Sequence, residues 1–91
     1  MERERLESDL AAAFDASDDA CRIVARQARD LADSGAFERD FGEELTADVV
    51  VDELEDAPAE YTLAERWNWW LGSLELSHGG YERFYVRSDV V

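Results

Sequence analysis

The sequence predicts an all-α fold: a small bundle of about four short helices, closed by an extended aromatic C-terminal segment. Three observations carry this. Apolar residues recur at helical spacing through most of the chain. Ser, Thr and Gly stand where such segments should start and stop. The stretch Thr62–Gly80 holds all three tryptophans between a capping box, Thr62 with Glu65, and a left-handed stop at Gly79-Gly80.

Leu6, Leu10, Ala13 and Phe14 share one face of a first helix, expected over Arg3–Phe14. Asp15 to Ser17 breaks it. Ser17 is a good N-cap, and Asp18 and Asp19 suit the positive end of a second helix running to about Ser34. Its stripe is Ala20, Cys21, Val24, Ala28 and Leu31, small enough for close packing, and Gly35 ends it. Phe37 and Phe41, four apart, fit one short turn packed on the core before Gly42. Thr46 caps a third segment, Ala47 to about Asp56. Its three consecutive valines also suit a strand, but the Val50–Leu54 spacing and the cap favour helix.

Ala57-Pro58-Ala59 links to the tryptophan helix. At about 100° per residue, Leu63, Trp67, Trp70, Leu71 and Leu74 share one face. Trp69 and Leu76 fall roughly opposite, with Gly72 between them. Tyr81–Val86 is expected to be extended and packed back on the bundle. The alternative is α+β: a hairpin pairing Ser73–Ser77 with Tyr81–Val86 across His78-Gly79-Gly80, the helix then stopping near Leu71. Arg87–Val91 should fray. The expected core includes Leu10, Phe14, Val24, Leu31, Trp67, Leu71 and Leu74.

Residues 1–91 suffice for one small domain with a modest core. The charge is far from ordinary: 23 acidic residues against 9 basic, a net charge of −14, and every basic residue is arginine. Such a chain repels itself in dilute buffer, and concentrated cations screen that repulsion. The composition resembles that of salt-adapted proteins from extreme halophiles. Repulsion from phosphates disfavours nucleic acid and anionic membranes at low salt, although screening in molar salt readmits nucleic acid. The acids concentrate between Glu38 and Glu60, where ten stand against one base, Arg39; from Leu63 onward the balance is nearly even.

Cys21 is alone, so no internal disulfide can form, and a buried apolar role is expected for it. No signal peptide is expected behind Met-Glu-Arg-Glu-Arg, and no apolar run reaches membrane-spanning length, about 20 residues. A cytoplasmic location is the expectation.

Catalytic, metal and cofactor residues are not expected. One histidine and one cysteine make no standard zinc site, and phosphate-loop, dinucleotide and nucleophile-elbow motifs are absent. Carboxylates are too abundant for any pair to be informative. His78, at a helix C-terminus, is expected to meet the negative dipole end. Arg22, Arg26 and Arg29 form a stripe that could hold phosphates; pairing as Asp18–Arg22, Arg26–Asp30 and Arg29–Asp33 is the simpler expectation.

The candidate partner-binding residues are therefore Trp69, Gly72 and Leu76, a second apolar face that an outer helix does not need. The C-terminal segment could fold over it, or it could receive a second copy, as a homodimer, or another protein. The function expected is a non-catalytic interaction or regulatory module. The alternative is a nucleic-acid-linked regulator, of helix-turn-helix type or an acidic DNA mimic.

Overall fold

The computed structural model describes residues 1–87. The fold is all-α: α1 (Arg3–Phe14), α2 (Asp18–Ser34), α3 (Ala36–Phe41), α4 (Ala47–Glu55) and α5 (Leu63–His78), then one 3-10 turn, Glu82–Phe84. The helix starts follow local chemistry. Ser17 Oγ accepts from Ala20 N at 3.2 Å, and Thr46 Oγ1 from Val49 N at 3.3 Å. At Thr62 the reciprocal box forms: its Oγ1 accepts from Glu65 N at 3.2 Å, while Thr62 N donates to Glu65 Oε1 at 2.8 Å. Gly35, at φ 76° and ψ 0°, both ends α2 and opens α3.

Helices α1 and α2 form a hairpin through the turn at Asp15-Ala16-Ser17. α2 is the hub, meeting α1, α3, α5 and the 3-10 turn, while α4 meets α1 and α5. Ala20, Cys21, Ala25 and Ala28 are all buried along it, and their small side chains let its neighbours approach closely. The largest fully buried side chains among the described residues are Leu6, Leu10, Val24, Leu31, Val50, Leu54, Trp67, Leu71 and Tyr81. In the valine run only Val50 is buried, one helical turn before buried Leu54. A helix puts these two on one face, whereas a strand would have sent Val49 and Val51 to one side together.

Several expectations need correction. No strand occurs among the described residues, because α5 runs unbroken to His78 and consumes the first arm of the proposed hairpin. The segment after it is not wholly extended: residues 82–84 close a 3-10 turn, and extended backbone resumes at Tyr85. It does pack back, with Tyr81, Phe84 and Val86 buried. Gly79 has the positive φ of 76°, but its ψ of 160° lies outside the left-handed helical region. Phe14 is only half-buried, at the edge of the core, with the Arg66 guanidinium over its ring, 4.9 Å from the centroid. Phe41 is exposed, stacked between Phe37 and His78 instead of entering the core. The fraying expected of the chain end falls, beyond Arg87, outside the described residues.

Arg66 fixes the linker. Its Nη1 donates to Leu54 O at 3.0 Å, Nη2 to Ala59 O at 3.3 Å and Nε to Tyr61 O at 3.3 Å. One side chain thereby satisfies three carbonyls, one in the last turn of α4 and two in the loop before α5. Among the described residues no helix is long and apolar enough to cross a membrane.

Candidate functional site

The residues Trp67-Asn68-Trp69-Trp70 divide sharply by task. Trp67 and Trp70 face the core. Their rings meet edge to face at 5.6 Å, and Trp70 meets Phe37 in the same way at 5.9 Å. The Trp67 indole Nε1 donates to Phe84 O at 2.8 Å, so its polar atom is satisfied although the side chain is fully buried.

Asn68 grips one residue of the C-terminal segment by both backbone groups. Its Nδ2 donates to Val86 O at 2.7 Å, and its Oδ1 accepts from Val86 N at 2.9 Å. This pairing sets which way the amide points. Glu75 anchors the other end of the segment: Oε1 accepts from Tyr81 N at 2.8 Å and Glu82 N at 3.1 Å, and Oε2 from Gly80 N at 3.3 Å. The Tyr81 hydroxyl donates to Asp40 Oδ2 at 2.8 Å, with Ala36 O further off at 3.4 Å. Bonds from Arg39 and then Tyr81 hold the Asp40 carboxyl down at about 2. Burial, then the Asp40 bond and charge, push the Tyr81 phenol well above its ordinary value. Asn68, Glu75, Arg66 and the Tyr81–Asp40 bond were not foreseen from the sequence.

Trp69 has no such internal role. It is 40% exposed, and Leu76, two turns on, is 91% exposed. Gly72 lies between them, and a Cβ there would sit 3.7 Å from the Tyr85 hydroxyl. The three candidate residues thus come together, in an open groove lined also by Asn68, Ser73 and Tyr85. The C-terminal segment runs along the Asn68–Gly72–Glu75 edge of α5. It flanks the Trp69–Leu76 stripe without covering it.

The other singled-out residues lie elsewhere. Cys21 is buried, and burial, then the charges of Asp18 and Glu7, raise its thiol pKa, which disfavours the reactive thiolate. His78 is exposed at the end of α5, its Nδ1 2.9 Å from Ser77 Oγ and its ring 4.5 Å from that of Phe41. In the arginine stripe, Arg22 pairs with Asp19, not Asp18, and Arg29 with Asp33 at 3.7 Å. The expected Arg26–Asp30 pair does not form. Among the described residues no group of three or more His, Cys, Asp or Glu is placed to hold a metal ion.

No curated protein and no solved structure matches this chain. A family model described as the WNWW domain matches residues 1–75, taking in α1 to α4 and α5 as far as Glu75. The four letters of that description are those of residues 67–70. The chain belongs to the WNWW domain family.

Proposed function

We propose that this protein is a non-catalytic interaction or regulatory module suited to a salt-rich cytoplasm, and that Trp69, Gly72 and Leu76 form its contact face for a second copy or another protein. The observation that carries this reading is the Trp69–Leu76 stripe, left open while the rest of the apolar surface of α5 is buried. An isolated exposed leucine means little. Here Leu76, Trp69 and Tyr85 adjoin around Gly72, with the Tyr85 hydroxyl lying over the glycine. Tryptophan and tyrosine are also the residue types most often found at the energetic centres of interfaces.

The electrostatics favour the same face. Most acids of the Glu38–Glu60 run are exposed and lie on α3, α4 and their flanking loops. The groove itself is lined by only two carboxylates, Glu75 and Glu82, and Glu75 is already engaged by three backbone N–H groups. Contact here brings fewer like charges together than contact over α3 or α4 would. The nucleic-acid reading is weaker, since aspartates already engage two of the three stripe arginines.

Trp69→Glu tests the proposal. With the stripe exposed, the variant keeps its fold by circular dichroism, while light scattering in molar potassium chloride shows the assembly lost. A variant that unfolds, or one that assembles as the wild type does, contradicts the proposal.

A further inference from the structure

The segment after α5 is held largely through its backbone. Trp67 takes the Phe84 carbonyl, Asn68 takes both backbone groups of Val86, and Glu75 takes the N–H groups of residues 80–82. Such contacts follow the path of the segment, and buried Tyr81, Phe84 and Val86 anchor it. Its connection to α5 is Gly79-Gly80, at φ 76° and φ 86°. With ψ at 160°, Gly79 occupies a region open essentially to glycine alone. The chain reversal that lays the segment on its own helix depends on that conformation. The family match ends at residue 75, so it includes the receiving residues Trp67, Asn68 and Glu75 and excludes the segment they receive.

We propose that Tyr81–Arg87 is an exchangeable arm, and that the alternative occupant of its seat is the same arm from a second copy of this chain. The hinge at Gly79-Gly80 opens, the arm docks on α5 of the other molecule, and that molecule returns its own. The backbone bonds and buried anchors of the arm itself are remade between chains, so closed monomer and exchanged dimer differ mainly in the hinge, with its Gly80–Glu75 bond, and in the entropy of association. The seat adjoins the contact face at Gly72, and Tyr85 belongs to the arm. The bonds that hold the arm come from Trp67, Asn68 and Glu75 and not from Trp69 or Leu76, so Trp69→Glu separates the two.

Alanine at both hinge positions, in the full chain in molar potassium chloride, is the test. A Cβ at Gly80 meets nothing within 4 Å, and one at Gly79 comes only to 3.5 Å from Glu75 Oε2. The change therefore penalises the positive φ of the closed hinge without a clash. By light scattering, the Gly79→Ala/Gly80→Ala chain should dimerise roughly tenfold or more tightly than wild type. In dimers of labelled and unlabelled chains, nuclear Overhauser contacts should join the Trp67 indole N–H of one chain to Phe84 of the other. If the double change prevents folding, Gly80→Ala alone gives the same readouts with a smaller shift. A folded variant that stays monomeric at millimolar concentration overturns the proposal, as does a dimer without those contacts. So does a dimer abolished by adding Trp69→Glu, which would assign it to the other face.

Discussion

Replacing Asn68 with alanine removes both hydrogen bonds to Val86, at 2.7 and 2.9 Å. Val86 is only 7% exposed, so water reaches the freed N–H and C=O poorly. Leaving buried polar groups unpaired costs about 1–3 kcal/mol. For a domain of this length each kcal/mol lowers the melting temperature by about 4–8 °C, so a fall of roughly 5–20 °C is expected. Thermal melts followed by tryptophan near-ultraviolet circular dichroism in molar potassium chloride measure it. Asn68→Asp sharpens the test. At neutral pH the carboxylate still accepts from Val86 N but cannot donate to Val86 O, and faces it with like polarity. Once protonated, it can donate again. Asn68→Asp should therefore be the less stable variant at neutral pH and recover relative to Asn68→Ala as the carboxyl is protonated. Melting of Asn68→Ala within a degree or two of wild type would refute the role given to Asn68.

Leu71 is fully buried, so Leu71→Ala should cost about 2–5 kcal/mol, read from denaturant or thermal unfolding; near-neutral behaviour would show that α5 is wrongly faced. Asp40 titrates at about 2 in the fold against an ordinary 3.8. Its folded value is depressed, so its contribution is present above the ordinary value and is lost as pH falls from there toward about 2. The stability gap between wild type and Asp40→Asn should narrow in that window, and a gap constant down to pH 2 would contradict the assignment. Lowering salt from molar to tens of millimolar should reduce the helical dichroism, because repulsion among the carboxylates is then unscreened. Glu53 is half-buried and its pKa is raised by burial, then by Asp56, Glu43 and Asp52, so Glu53→Gln should soften that loss; an unchanged wild-type spectrum at low salt would count against salt adaptation.

What could be read in the sequence was local. Ser17, Thr46 and Thr62 cap through partners three residues away, and Gly35 ends α2 through its own φ, so the helix boundaries followed from neighbouring letters. The opposition of Trp69 and Leu76 to the core face is likewise a matter of helical angle. What could not be read depends on distant pairs. Asn68 meets Val86, Arg66 meets Leu54 and Tyr81 meets Asp40, 18, 12 and 41 residues apart. Nothing in the local pattern distinguishes a polar side chain in solvent from one that clamps a returning segment. Phe14 was expected in the core on spacing alone, and spacing gives no sign that Arg66 would share its site.

The most direct test of the contact face is fluorine NMR of the full chain labelled with 5-fluorotryptophan, followed over protein concentration in molar potassium chloride. The three tryptophans give three signals, assigned by single Trp→Phe variants. Only Trp69 should show the solvent isotope shift of an exposed ring in dilute solution, and only its signal should move and lose that shift as the protein associates or as a binding partner is added. Trp67 and Trp70 should stay fixed throughout. The face would be contradicted if association occurs while the Trp69 signal stays unmoved and solvent-exposed.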